Sequence, residues 1–135
     1  MIEMRANPVG LVAALLVFAA VGCGSATDPL PAGAIPFGPP AIYQTWWHEV
    51  EQCSGIVGDF AAISWYYVPG PGGFRAGSNP DLVGLWQLEH NSITLAQFVR
   101  EDSSVVTHEE LHAILKRADH PAEYFVQKCG TLVAH

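Results

Sequence analysis

The sequence predicts a small α+β domain with an N-terminal helix, about three antiparallel strands, a central helix and a short C-terminal helix. Three patterns predict this class. Apolar residues recur at helical spacing after residue 41, and β-branched and aromatic runs follow between Gly, Pro and Asn residues. A second helical pattern covers residues 104–117.

An export signal is predicted at residues 1–22, because "VGLVAALLVFAAV" has the length and apolarity of a signal-peptide core. The following "AVGCG" resembles the lipobox of bacterial lipoproteins. That resemblance implies lipidation at Cys23 and an exported protein anchored by lipid to the bacterial cell envelope. The alternative is an ordinary cleaved signal with an incidental Cys23.

Residues 23–40 are predicted to be the lipidated cysteine and a tether. The segment "GSATDPLPAGAIPFGPP" is rich in Pro and Gly, which disfavour regular secondary structure. Residues 41–135 then form one domain. We expect contact with a membrane through the lipid anchor only.

The charge balance argues against a nucleic-acid partner. The chain carries a net charge of −7 and has no cluster of basic residues. Phosphate backbones would therefore be repelled.

Cys53 and Cys129 remain as a pair once Cys23 is assigned to the anchor. In an oxidising exported compartment, an even number of cysteines in a small domain predicts a disulfide. Zinc ligation by these two residues is the alternative, and it is disfavoured because neither lies in a Cys-x-x-Cys pair.

The elements of the domain follow in order along the chain. Residues 41–53 place aromatic and apolar side chains on one helical face, and Gly55 is suited to end that helix. Strands are predicted at residues 60–68, 82–89 and 92–98, the last two joined by a tight turn at His90 and Asn91.

Two helices complete the predicted domain. Asp102, Ser103 and Ser104 provide N-cap oxygens for the helix at residues 104–117. Pro121 then opens a final short helix that ends before Gly130.

The central helix carries the pattern His-Glu-x-x-His at residues 108–112. At about 100° per residue, His112 lies about 40° from His108, so both imidazoles can reach one ion. Glu109 lies beside that face at about 100°, and Glu110 at about 200° cannot join it. The alternative is a helix whose two histidines simply face solvent.

This pattern resembles the signature of zincin metallopeptidases. The resemblance implies a zincin-like fold in which His108 and His112 bind Zn²⁺. It also implies that Glu109 acts as general base on a zinc-bound water that cleaves a peptide bond. Metzincins have Gly and His where this chain has Leu115 and Ala118, so that branch is excluded.

The third zinc ligand has two candidates. His120 stands in a His-Pro pair that is similar to one found in short bacterial lipoproteins with a zincin-like core, and it is favoured on ligand chemistry. Glu123 is the alternative, by analogy with gluzincins. The resemblance further implies that Tyr124 could donate to an oxyanion.

The leading hypothesis is a zinc-dependent metallopeptidase-like hydrolase acting on a peptide or protein substrate. By analogy with zincins, residues 92–98 are expected to be an edge strand that pairs with this substrate. One alternative is a catalytically inactive envelope lipoprotein whose fold is stabilised by zinc. Another is a protein-interaction module that presents exposed tryptophans, namely Trp46, Trp47, Trp65 and Trp86.

Overall fold

The computed structural model describes residues 28–134, and its fold class is α+β, as the sequence predicts. The predicted signal peptide, the lipobox and Cys23 lie outside the described residues. Within the described part of the chain, no helix combines the length and apolarity needed to cross a membrane.

The first helix, α1, spans Ala41–Ser54. It buries one face, formed by Tyr43, Trp47 and Val50, at the three- and four-residue spacing that the sequence predicts. Gly55 ends it in the left-handed conformation, at φ 74°, and donates its N–H to the Glu51 carbonyl. A residue with a Cβ atom would be strained at this position.

Six strands form two sheets within residues 28–134. They are β1 (Ile35–Pro36), β2 (Ser64–Val68), β3 (Phe74–Ala76), β4 (Asn79–Leu82), β5 (Gly84–Gln87) and β6 (Ser92–Ala96). The main sheet has the order β1-β2-β6-β5, and β3 pairs only with β4 in a small second sheet.

The expectation of about three antiparallel strands needs correction. β2 and β6 are parallel, because the chain between them is long enough to cross over and forms β3, β4 and β5 on the way. The short strands β3 and β4 lie where the Gly- and Pro-rich sequence predicts only a loop. One-turn 3₁₀ helices at Phe60–Ala62 and Gln97–Val99 shorten two of the predicted strands.

The edge of the sheet is also not where the sequence predicts it. β6 lies between β2 and β5 and pairs with both, so residues 92–98 do not form an edge strand. The edge strand on this side is β5. It pairs with β6 because the turn at Asn91 (φ 45°) reverses the chain between the two strands. Any pairing with an extended peptide on this side would therefore involve β5.

The central helix, α2, spans Ser103–Leu115 and begins at Asp102, whose side chain accepts the Ser104 N–H at 3.0 Å. It packs against α1, β5 and β6. Because neighbours surround it, nearly every residue from Val105 to Ile114 is buried. α2 ends at Lys116, which is in the left-handed conformation at φ 53°.

The C-terminal segment forms a π-helical turn at Glu123–Lys128 and a short helix, α3, at Gly130–Val133. The predicted disulfide is confirmed: Cys53 of α1 is bonded to Cys129, with Cα atoms 5.3 Å apart. Thr107 of α2 also donates its hydroxyl to the Leu132 carbonyl at 2.8 Å. The segment is thereby fastened to both main helices.

The described part of the segment assigned to the tether contacts the domain. β1 pairs with β2, and the ring of Phe37 lies 5.8 Å from that of Tyr67 and 6.2 Å from that of Tyr43. Gln87 donates its side-chain amide to the Pro29 carbonyl at 3.1 Å. Pro31 is buried.

The tryptophans do not form the exposed surface expected for an interaction module. Trp47, Trp65 and Trp86 are at most 5% exposed, and Trp46 packs in a stack on Tyr43. Trp47 lies on the buried face of α1, and Trp65 and Trp86 lie in β2 and β5, so these three belong to the core, against which Trp46 packs. The specific basis for that alternative is therefore wrong.

The disulfide generates the first prediction. Replacing Cys53 and Cys129 together by Ser should lower the free energy of unfolding by roughly 4–5 kcal/mol, because the bond joins residues separated by 76 positions. Urea denaturation of both proteins measures the difference. The wild-type chain in dithiothreitol serves as a control and should match the double variant, whereas a loss below about 1 kcal/mol would contradict the prediction.

Candidate metal centre

Three histidines converge beside α2. His108 and His112 come from successive turns of α2, and His120 comes from the loop that follows it. Their Nε2 atoms form a triangle with sides of 3.0 Å, 3.2 Å and 3.2 Å. Among the described residues, this is the group of potential ligands close enough to hold one metal ion.

The size of this triangle fits a small divalent ion. Three nitrogens at about 2.0–2.1 Å from a tetrahedral zinc ion lie about 3.3 Å from one another. The observed separations are within a few tenths of an ångström of that value. The imidazoles would need little rearrangement to bind such an ion.

In two of the imidazoles, a hydrogen bond determines which ring nitrogen faces the centre. Nδ1 of His108 lies 3.1 Å from the carbonyl of Val133, and Nδ1 of His112 lies 2.7 Å from the carbonyl of Arg117. A carbonyl only accepts, so each Nδ1 carries the proton and each Nε2 presents a lone pair. These are the tautomers that a metal ligand requires.

The protonation state of His112 supports the same conclusion. Burial lowers the pKa of His112 to about 4, so the ring is neutral near pH 7. Its Nε2 lies 3.2 Å from Nε2 of His108 and 3.2 Å from Nε2 of His120. A neutral imidazole is the form that binds a metal ion.

The loop after α2 is built to return His120 to the helix. The left-handed Lys116 turns the chain, and the guanidinium of Arg117 binds the carboxylate of Asp119 through two hydrogen bonds of 2.8 Å and 2.5 Å. The carbonyl of Pro121 then accepts a hydrogen bond from the N–H of Phe125, at the start of the π-helical turn. His120 is exposed, so this side of the centre is open to solvent.

Glu109 is buried beside the edge strand. The backbone N–H of Trp86 hydrogen-bonds to its carboxylate, and burial raises the pKa of Glu109 to about 8. A cation held by the nearby histidines would favour the ionised form. A carboxylate tuned in this way is suited to exchange a proton near neutral pH.

The close approach of Glu109 to β5 explains Gly84. A Cβ atom at Gly84 would lie 2.6 Å from Oε1 and 2.8 Å from Cγ of Glu109, which is too close for any real contact. Sequence reasoning missed this residue. A glycine inside a predicted strand was the available signal, because it often marks such a close approach.

The remaining predicted site residues lie as follows. The carboxylate of Glu123 binds the ammonium of Lys128 at 2.7 Å and is exposed, and it is not part of the histidine cluster. Tyr124 is partly buried against the core, with the Lys128 ammonium 4.8 Å from the centre of its ring.

Phe125 is a second residue that sequence reasoning missed. Its ring lies within 5.0 Å of all three imidazole rings. The sequence shows only a Tyr-Phe pair in a short helix, and that pattern is typical of core packing. The π-helical turn that aims Phe125 at the histidines has no signal in the sequence.

A cavity of about 880 Å³ lies alongside β5. Its lining residues include Leu85, Trp86, Leu88 and Lys116, together with residues 28–32. The three histidines and Glu109 are not among its lining residues. The cavity is therefore separate from the histidines, although it borders Trp86, whose N–H bonds to Glu109.

Comparison with known proteins does not assign a family. No family model matches the chain, and neither curated proteins nor solved structures contain a significant match.

Glu110 generates the second prediction. It is 0% exposed, both carboxylate oxygens have no hydrogen-bond partner in the described part of the chain, and burial raises its pKa to about 9. Replacement by Leu should therefore raise the free energy of unfolding by about 2 kcal/mol.

The measurement is urea denaturation of the metal-free protein at pH 7. Glu110→Gln keeps a buried unpartnered polar group and should gain much less than Glu110→Leu. A leucine variant that is less stable than the wild type would show that the carboxyl is satisfied, for instance by a buried water.

Gly84 generates the third prediction. Gly84→Ala should cost about 1–3 kcal/mol of unfolding free energy, because the new methyl group overlaps the Glu109 side chain. In a Glu109→Ala background the cost should fall, since the overlapping atoms are gone. Gly72→Ala is the matched control, because nothing lies within 4 Å of its Cβ position. Equal costs of Gly84→Ala in both backgrounds would refute the contact.

Proposed function

We propose that the protein is a zinc-dependent metallopeptidase-like hydrolase, exported and anchored by lipid to a bacterial cell envelope. The observation that carries the proposal is the convergence of three histidine Nε2 atoms, two of them held in the ligand tautomer by backbone carbonyls. The zincin-like sequence pattern supports it, with the buried Glu109 directly after the first histidine.

His108, His112 and His120 would hold the zinc ion. When bound, zinc would act as a Lewis acid and would lower the pKa of water at the site to about 7. His120 is preferred to Glu123, because its nitrogen already completes the triangle while the Glu123 carboxylate is engaged by Lys128. An ion held by three protein ligands would still be able to bind water or substrate.

Glu109 is the proposed general base. Burial raises its pKa to about 8, and a cation at the histidines would favour the ionised form, which can accept a proton from water and later return it to a leaving amine. The Trp86 N–H and the close contact with Gly84 hold the carboxylate in one orientation. Tyr124 is proposed to donate a hydrogen bond to the oxyanion.

The proposed substrate is an extended peptide or protein segment. β5 is the edge strand beside α2, and an edge strand can pair with an added strand. The cavity alongside β5 offers space for substrate side chains against Leu85 and Leu88. The chain's net charge of −7 makes nucleic acid an unsuitable partner.

A second candidate is an inactive protein in which zinc only stabilises the fold. It is favoured by one observation: the ligands join α2 to the loop that leads into the C-terminal segment, so an ion would crosslink a small core. The two functions make the same prediction for metal binding and differ in catalysis.

The fourth prediction tests metal binding and catalysis together. The full chain, purified in mild detergent, should bind one zinc ion, and Ala at any of the three histidines should abolish stoichiometric binding. His90→Ala is the matched control, since His90 is outside the cluster and hydrogen-bonds to the Asp28 carbonyl. Metal content by mass spectrometry gives the answer.

Glu109→Gln should retain zinc and lose peptide hydrolysis by about 10²–10⁴-fold. The exposed Glu123→Gln is its control and should keep both properties. Full activity of Glu109→Gln with zinc bound would reject the mechanism. Zinc binding without hydrolysis of any member of a peptide library would favour the purely structural role.

A further inference from the structure

The ring of Phe125 touches every imidazole of the candidate metal centre. Ring centroids lie 5.0 Å from His108, 4.6 Å from His112 and 4.8 Å from His120. The three imidazole centroids are themselves 4.7–5.0 Å apart. Four aromatic rings thus form a nearly regular tetrahedron, with Phe125 at one vertex.

This geometry gives the centre two unlike sides. Phe125 covers one side of the imidazole triangle and is only 8% exposed, so that side is apolar and closed to water. The exposed edge of His120 belongs to the open part of the centre. Water or substrate would therefore approach from the side opposite the phenyl ring.

The backbone presents this ring in an unusual way. Phe125 lies in the π-helical turn Glu123–Lys128, a rare conformation that is frequent at functional sites. Its N–H donates to the Pro121 carbonyl at 3.0 Å, directly after His120. At the other end, the turn closes with the Cys129 N–H donating to the Tyr124 carbonyl, and Cys129 is covalently bonded to α1.

We propose that Phe125 is a positioning residue of the metal centre. Its ring restricts the rotation of all three imidazoles and thereby holds their Nε2 atoms at the separation that one divalent ion needs. The role is particularly important for His120, which comes from a loop. This inference rests on the proposed metal site and adds a residue to it that makes no bond to the ion.

Removing the ring should lower the zinc affinity, and by more than the removal of another buried phenyl ring does. Phe125→Ala leaves space beside all three imidazoles, and we expect the zinc affinity to fall by about 10–100-fold, as for other residues that orient metal ligands. Phe125→Leu fills most of that space without a flat ring and should show an intermediate affinity. Phe74→Ala is the matched control, because Phe74 is 5% exposed and lies in β3.

The experiment measures zinc affinity by competition with a chelator and records the visible absorption of the Co²⁺-loaded full chain. The cobalt bands report coordination geometry, which a purely structural role would not alter. We expect both Phe125 variants to change the spectrum and Phe74→Ala to leave it unchanged. If Phe125→Ala does not fold, Phe125→Leu decides the question.

The possible failures are distinguishable. A wild-type spectrum and wild-type zinc affinity in Phe125→Leu would overturn the role of Phe125 while leaving the proposed metal site intact. Equal losses of affinity in Phe125→Ala and Phe74→Ala would also overturn it. A wild-type chain that binds neither Zn²⁺ nor Co²⁺ would overturn the metal site, and the role of Phe125 with it.

Discussion

The candidate centre depends on two hydrogen bonds from imidazole Nδ1 atoms to backbone carbonyls. One reaches Val133 at the C-terminal end of the chain, and the other reaches Arg117 just beyond α2. Because a carbonyl cannot donate, these bonds direct the lone pairs of His108 and His112 towards each other. Both imidazoles therefore present the nitrogen that a metal ion can bind.

The helix α2 is both the centre of the hydrophobic core and the carrier of the proposed site. Its apolar residues pack against α1 and the sheet, while Glu109 and Glu110 are buried along with them. Burial of carboxyl groups opposes stability and raises their pKa values. Burial raises the pKa of Glu109 to about 8, so the side chain proposed to transfer protons is also one whose burial opposes stability.

The C-terminal segment supports the centre from one side. Residues 120–133 contain the third histidine, the phenyl ring that covers the imidazoles and the carbonyl that orients His108. The disulfide to α1 and the bond from Thr107 to Leu132 fasten this segment to the two main helices. A domain of this size has few other means of holding a loop-borne ligand in place.

The α+β class, the two main helices, the pairing of Cys53 with Cys129 and the closeness of His108 to His112 could all be predicted from the sequence. Helical periodicity, the number of cysteines and the four-residue spacing are local properties, and they constrain neighbours in the chain directly.

The parallel pairing of β2 with β6, the position of β5 at the edge and the contacts of Gly84 and Phe125 emerged only in three dimensions. They depend on how distant segments pack together, and local residue patterns carry no information about that packing. The sequence therefore indicated two histidines and two candidates for a third ligand, whereas tertiary packing decided which candidate joins them, how all three are oriented and what surrounds them.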